Sequence, residues 1–558
     1  MDRLISDSDD RLKLAELLFP DIQASPADIE ANYPSRQLPA GAMVTRIAPS
    51  PTGFMHIGGI YAALICQRLA HQSGGIFFLR IEDTDKKREV DGAAELIINS
   101  LKQFGLNIDE GEVAIGQEIG DYGPYRQSQR QAIYQTFIKT LVADGRAYPA
   151  FETAEELEAI NAQQTAAKIA PGYYGQSAAW RDRPTVEALA ALEAGQTPVI
   201  RLRSTGDPQR TIIVQDLFKG RLVLPESHQD IVILKSNGLP TYHFAHAIDD
   251  HLMGTTHVIR GDEWLSSLSL HLQLFQLFGW TPPVFGHLAP IQKLVGQSRR
   301  KLSKRHDPEA SVAFYDQAGY PIEAVIMYLL NLANAGFEQW LVDHPNDSLT
   351  DYSLSIDELK KGAGALLDMV KLASFSKELI SHWSVDEIIR RSLHWAEQYD
   401  SELAKAMKMD LNYTSQLLNI DRQGDQARKD IAKWSDLRSE ISFFFDDLFD
   451  NSLELALQQI DRPLAEIQAI ARAVAKQYDL ADDKDNWLNK MRAIGSSLGY
   501  APDMKTFKQN PEQYRGNFGD VAKVIRVLLV GRNQSPDLFE VMRVMGRDRV
   551  INRLTRLV

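Results

Sequence analysis

Ala48-Pro49-Ser50-Pro51-Thr52-Gly53-Phe54-Met55-His56-Ile57-Gly58-Gly59 decides how this chain folds. Just before it, Met43 opens an apolar-leaning strand; after it, residues 58–71 read as a helix and residues 76–81 as a compact strand. Strand, loop, helix and strand in that order predict a crossover between strands of a parallel sheet. The loop carries the chemistry of a phosphate site. Gly53, Gly58 and Gly59 let a polyphosphate approach the backbone, the helix start offers unpaired N–H donors with a partial positive charge, and His56 can donate to a phosphoryl oxygen. Without its surroundings the same stretch also describes an ordinary strand-to-helix turn.

Further along, Glu82-Asp83-Thr84-Asp85 closes the second strand, and helices are expected over residues 92–104 and 127–144. Residues 150–225 mix a polar Ala/Glu/Gln helix with short strands such as 199–202, the composition of an insertion. Parallel-sheet character is expected to resume at residues 230–234 and again at 257–260, with a long amphipathic segment at 266–278. Beyond about residue 310 the strand signals fade, and helices are expected over 322–335, 386–399 and 464–478. Residues 1–40 form an acidic lead with an apolar cluster at 12–19, expected to wrap the first domain.

A second constellation is Arg299-Arg300-Lys301-Leu302-Ser303-Lys304-Arg305, five basic residues in seven, preceded by Gly296 and Gln297. A mobile cationic loop suits a reaction that releases pyrophosphate, because a Lys beside the leaving oxygens stabilises the transition state more than the ground state. A solvated basic loop or an RNA-contact patch is the alternative. Near the end, Arg549, Arg553 and Arg556 fall at i, i+4 and i+7, one basic face if residues 546–557 are helical. Either solvent or RNA could lie against it.

Bulk properties bound these readings. A chain of 558 residues exceeds one hydrophobic core, so two to four domains are expected, and 44% hydrophobic with 24% charged residues is a globular composition. A net charge of −13 excludes indiscriminate nucleic-acid binding, which needs clustered Lys and Arg. Cys66 is the only cysteine, so neither an internal disulfide nor a cysteine-built zinc site is available. No apolar run reaches bilayer length, and Met1-Asp2-Arg3-Leu4-Ile5 lacks the apolar stretch of a secretory signal; a cytoplasmic location away from membranes is expected.

The two constellations, separated by a broken parallel sheet, resemble the HIGH and KMSKS elements of class I aminoacyl-tRNA synthetases. Five stretches narrow the likeness: Arg46-Ile47-Ala48-Pro49-Ser50-Pro51-Thr52-Gly53, Leu79-Arg80-Ile81-Glu82-Asp83-Thr84-Asp85, Pro240-Thr241-Tyr242-His243-Phe244, His257-Val258-Ile259-Arg260-Gly261 and Lys301-Leu302-Ser303-Lys304-Arg305. They resemble glutamyl-tRNA synthetase motifs of the bacterial type, in family order, from about Val44 to the end and most sharply to about residue 310. The resemblance implies an α/β fold: a Rossmann-type parallel-sheet catalytic domain with an inserted α+β acceptor-binding domain and all-α C-terminal tRNA-binding domains. The expected segments are an N-terminal extension at 1–42, catalytic halves at 43–150 and 226–310, the insertion at 151–225, a helical stem-contact domain at 311–389 and a helical anticodon-binding domain at 390–558.

It also implies a glutamate–tRNA ligase that makes glutamyl-adenylate from ATP and L-glutamate and transfers the glutamyl group to tRNA(Glu). The alternatives are a non-discriminating form that also charges tRNA(Gln), or a catalytically silent tRNA-binding homologue. His56, Lys301 and Lys304 would be catalytic; Gly53, His56, Gly58, Gly59, Glu263, Lys301, Ser303 and Lys304 would bind ATP with Mg²⁺. Arg46, Ala48, Ser50, Glu82, Tyr242, His246 and Arg260 would surround glutamate. Its charges support this, since a guanidinium holds a carboxylate in a two-point fork and a carboxylate such as Glu82 matches an ammonium. Glu82-Asp83-Thr84-Asp85 could instead cap a helix, the role expected of Asp83, and Tyr242 could be a core aromatic. Many relatives carry a cysteine-rich zinc knuckle in the insertion; here Tyr148, Phe151, Tyr173 and Tyr174 are expected to pack without structural zinc. A monomer is the family-based expectation.

Overall fold

The computed structural model describes residues 2–303, 305–361, 365–422, 427–449 and 457–556. They form two compact units, one of residues 1–312 and 329–367, the other of 313–328 and 368–558.

In the first unit, β1 (Val44–Ile47) and β2 (Ile76–Leu79) pair in parallel, Val44 opposite Ile76 and Ile47 opposite Leu79. Helix Ile57–Gln72 makes the crossover. Its apolar residues recur on nearly every side, and Ile57, Ile60, Leu64, Ile65 and Leu69 are all buried, the pattern of a helix enclosed by its domain. Each such side chain contributes about 1.5–3 kcal/mol when fully removed from water. The return into β2 needs Gly75, where a Cβ would stand 1.9 Å from the Met43 carbonyl oxygen. β3 (Glu110–Ala114) pairs in parallel with β2, and β4 (Gln117–Ile119) turns back antiparallel on β3.

A second sheet brackets the expected insertion: β5 (Ala147–Ala150), β6 (Val199–Leu202) and β9 (Val232–Leu234) pair antiparallel in the order β5-β6-β9, and of these only β6 falls within residues 151–225. Parallel pairing therefore does not resume at residues 230–234. A three-residue apolar run carries no direction, and burial of Ile233 suits either kind of strand. Within this segment β7 (Thr211–Asp216) and β8 (Gly220–Pro225) form a hairpin. Parallel pairing returns with β10 (His257–Gly261) and β11 (Val284–Leu288), linked through helix Leu268–Phe278. β10 lies beside β1, where Thr256 N–H donates to the Val44 carbonyl (3.0 Å) and Val44 N–H to Thr256 Oγ1 (2.8 Å).

β12 (Gln292–Val295) and β13 (Ser298–Lys301) make an antiparallel hairpin, so Arg299, Arg300 and Lys301 belong to a strand and not to the expected loop. Asp307 organises the segment after β13: its carboxylate accepts from Arg300 Nη1 and Nη2 (2.5 and 2.7 Å) and from Ser303 N–H (2.9 Å). At the other end of the unit, helix Asp2–Leu18 packs through Leu14 and Ala15, with Phe19 just beyond, on Phe137, Ile138 and Leu141 of helix Gln131–Ala143, as expected for a wrapping lead.

In the second unit every regular element among the described residues is a helix. Helix Phe518–Val530 shows why: Val521, Val524, Ile525 and Leu528 line one face and are buried, and Gly531 ends it in the left-handed region at φ +75°. The predicted basic face near the end is corrected by helix Arg547–Thr555. Arg553 is buried, donating to the Phe443 and Leu529 carbonyls (both 2.6 Å) and to Asp446 (2.8 Å). Arg549 donates to the same carboxylate and to the Tyr413 hydroxyl. These arginines tie segments of the core together, a contact that helical spacing cannot reveal. No described helix is long and apolar enough to cross a membrane.

Candidate active site

A cavity of about 770 Å³ opens where the segments that follow β1, β2, β10 and β11 meet, the crevice beyond strand carboxyl ends where open α/β sheets take ligands. Its wall gathers residues far apart in the chain: Arg46 in β1, Ala48 and Ser50 after it, Glu82 after β2, Tyr242, then Arg260 and Glu263. Gly53, His56, Gly58, Gly59 and Lys301 line it too. The proximity of the His56 turn and the basic segment is thus a fact of the fold, reinforced by the bridge between His56 and Ser311 and by Val312 N–H donating to the Met55 carbonyl. Lys304 lies outside the described residues. Ser303 and His246 are described but do not reach the wall.

His56 caps helix Ile57–Gln72 with its ring: Nδ1 accepts from Gly58 N–H at 2.8 Å. The ring proton then sits on Nε2, the nitrogen turned away from the helix, which suits a donor to a phosphoryl oxygen. Opposite, Lys301 Nζ lies 3.2 Å from Glu263 Oε2, both side chains about half exposed.

The inner end is a buried charge network. Arg46 Nε and Nη2 donate to Asp250 (3.2 and 3.4 Å), and Arg80 donates from Nη1 to Asp250 (2.7 Å) and from Nη2 to Glu82 (2.9 Å). Asp249 lies 3.6 Å from Arg80 Nε and accepts from Arg130 Nε at 2.7 Å. Burial would raise the Asp250 carboxyl, yet Arg46 and Arg80 hold it well below the ordinary carboxylate range. For Glu82 the balance goes the other way: burial outweighs Arg80 and pushes its carboxyl up to about 7. A second cation brought to Glu82 would favour its charged form. Arg260 has Nη2 buried without a hydrogen-bond partner among the described residues, an arrangement that a carboxylate would satisfy.

His246 stands behind Tyr242, stacked at 5.6 Å and donating from Nδ1 to Asp250 at 2.6 Å. Its ring meets Tyr242 and Asp250 and does not line the cavity. Asp83 is a cap across the fold, accepting from Ser128 N–H (2.8 Å) and Oγ (2.6 Å) at the start of the 3-10 turn Gln127–Arg130. Sequence reasoning missed Arg80, Asp249, Asp250 and Lys235; the last lines the cavity and donates from Nζ to the Thr84 carbonyl at 2.6 Å. A signal existed for some of them. Arg80 interrupts a strand whose neighbours are apolar, and Asp250 follows His246 by one helical turn.

In the insertion, Tyr148 donates to Asp230 Oδ2 at 2.5 Å, Ser204 N–H donates to Oδ1 at 2.8 Å, and Arg181 pairs with the same carboxylate. Arg201 stacks 3.7 Å from the Tyr173 ring centroid, and Phe151 packs on Trp180.

Comparison with known proteins agrees with this architecture. The model of the class I tRNA synthetase (E and Q) catalytic domain matches residues 42–339, and an anticodon-binding domain model matches residues 504–558. A glutamate–tRNA ligase of Clostridium perfringens strain 13 is 46% identical, with 97% of this chain and 99% of that protein aligned. One from Sorangium cellulosum is 44% identical over 97% of this chain and all of its own length. A crystal structure of a glutamate tRNA ligase from Elizabethkingia meningosepticum, in complex with its amino acid, superposes with a TM-score of 0.70 at 28% identity, covering 92% of this chain and 99% of that one. With the catalytic-domain model spanning more than half of the chain and full-length relatives at this identity, the chain belongs to the bacterial-type glutamyl-tRNA synthetase family of class I aminoacyl-tRNA ligases.

Proposed function

We propose that the chain activates L-glutamate with ATP and transfers the glutamyl group to the 3′ end of tRNA(Glu). The observation that carries this reading is one cavity lined by His56 and Lys301 together with Arg46, Glu82, Tyr242 and Arg260. A reaction joining a dicarboxylic amino acid to a triphosphate needs that combination. Arg260 and Arg46, with Tyr242, hold the carboxylates of glutamate; Glu82 pairs with its ammonium; Ala48 and Ser50 border it. The glycines at 53, 58 and 59 and the start of helix Ile57–Gln72 receive the phosphates, with Glu263 beside the nucleotide.

In the first step the glutamate α-carboxylate oxygen attacks the α-phosphorus of ATP in line, and pyrophosphate leaves. In the second, a hydroxyl of the terminal ribose attacks the carbonyl carbon of the mixed anhydride and AMP leaves. The protein supplies position and charge, with His56, Lys301 and Lys304 stabilising the leaving pyrophosphate. Mg²⁺ enters bound to ATP; among the described residues no group of three or more His, Cys, Asp or Glu is placed to hold a metal ion. The Asp230 contacts with Tyr148, Arg181 and Ser204 support an insertion that holds its shape without zinc. Stoichiometric zinc in purified protein would refute that.

The deciding assay is aminoacylation of purified tRNA(Glu) and tRNA(Gln) with labelled glutamate and glutamine in parallel, alongside glutamate-dependent pyrophosphate exchange. Glutamate charged to tRNA(Glu) is the expected result, and charging of tRNA(Gln) as well would mark the non-discriminating form. Absence of exchange with tRNA and glutamate present would leave a catalytically silent homologue.

A further inference from the structure

Arg260 owes its orientation to residues outside the cavity wall. Its Nε donates to His287 Nε2 at 3.1 Å, and its Nη1 donates to His271 Nδ1 at 2.9 Å. A guanidinium can only donate, so both imidazole nitrogens facing it carry lone pairs. The proton of His287 is therefore on Nδ1, where it is donated to Asp216 Oδ2 at 2.6 Å. The proton of His271 is on Nε2, which stands 2.9 Å from His243 Nδ1. Asp216, Arg260, His271 and His287 are all buried, and burial lowers the pKa of both imidazoles, in keeping with neutral rings.

Asp216 ends β7, and its hairpin is seated against β11 by Leu217 N–H donating to the Phe285 carbonyl at 2.8 Å. Gly286 permits that contact, since a Cβ there would meet the Phe218 ring at 2.7 Å. The two oxygens of Asp216 divide their work. Oδ1 accepts from the backbone N–H groups of Phe218 (3.0 Å), Lys219 (2.9 Å) and His287 (3.2 Å), while Oδ2 takes only the imidazole proton.

We infer that Asp216 is a positioning residue for substrate recognition, setting the His287 tautomer so that Arg260 is held from behind and presents Nη2 to a substrate carboxylate. This rests on the reading of Arg260 as a glutamate ligand. Asp216→Asn separates the two oxygens. Its Oδ1 keeps the three backbone bonds, but its amide nitrogen faces His287 Nδ1 as a donor and drives the imidazole proton to Nε2, against Arg260 Nε–H.

The test is pyrophosphate exchange by the full chain with tRNA(Glu), varying glutamate and ATP separately, together with ¹⁵N NMR of the His287 ring. Asp216→Asn raises the glutamate KM about tenfold or more, leaves kcat and the ATP KM within about threefold, and moves the His287 proton from Nδ1 to Nε2. His287→Gln, whose amide can donate to Asp216 and accept from Arg260, keeps the glutamate KM within about threefold of the parent. An unchanged glutamate KM in Asp216→Asn, or equal rises in both KM values, would overturn the inference, as would a ring proton that stays on Nδ1. Were the parent chain itself inactive with glutamate, the functional reading would fall, and the NMR measurement would still decide the relay.

Discussion

The two ends of the cavity use charge in opposite ways. At the inner end Arg46, Glu82, Asp250 and Arg260 are each no more than 6% exposed and most are already paired within the protein. At the outer end the Lys301 and Glu263 side chains are 56% and 51% exposed and pair with each other at 3.2 Å. A pair of unit charges 4 Å apart is worth about 1 kcal/mol in water and about 4 kcal/mol at the effective dielectric of a protein. The buried end thus buys fixed geometry at a high desolvation cost, while the exposed end can rearrange at little cost.

Asp250→Asn attacks the buried end most directly. It leaves Arg46 and Arg80 without their shared carboxylate and is expected to lower unfolding stability by about 3–5 kcal/mol in urea titration; a loss below about 1 kcal/mol would mean that the network is not as dry as its burial implies. Arg260→Lys keeps the charge but loses the fork, so calorimetry should show glutamate affinity reduced by about 2–3 kcal/mol with ATP binding unchanged. An equal loss for both ligands would erase the distinction between the two ends.

The Glu82 carboxyl, pushed up to about 7, sharpens the contrast through pH. Below that value it is neutral and cannot pair with an ammonium. Glutamate affinity should therefore rise roughly tenfold between about pH 6 and pH 8 and then level off. Glu82→Gln should flatten the profile; a flat profile in the parent chain would contradict the role. The smallest effect belongs to the outer end: Glu263→Gln should change urea stability by less than about 1 kcal/mol, because an exposed ion pair contributes little.

Much of the cavity's lining was readable before any coordinates. The Ser50 to Gly59 turn combines a crossover pattern with residues suited to phosphate, and both properties are local. Arg46 and Arg260 lie near the ends of β1 and β10 and Glu82 just past β2, strands whose carboxyl ends face one crevice, a general feature of such sheets. His246 and Asp250 stand one helical turn apart, and only the packing of the domain shows that both turn into the buried network and do not line the cavity. Arg553 misled because a basic helical face looks like surface until Asp446 and two buried carbonyls are found behind it.

Residues 44–79 by themselves determined a parallel crossover with a glycine-rich helix start, because alternation, helical periodicity and glycine placement act over a few neighbours. The direction of β9, the pairing of Arg46 and Arg80 with Asp250, and the hold of Asp216 on Arg260 through His287 were decided only by the tertiary structure. Those partners lie 204, 170 and 71 residues apart in the chain. A side chain carries its charge and hydrogen-bonding groups wherever it sits, but which group meets it, and how dry the meeting place is, depends on segments brought together only when the whole domain closes.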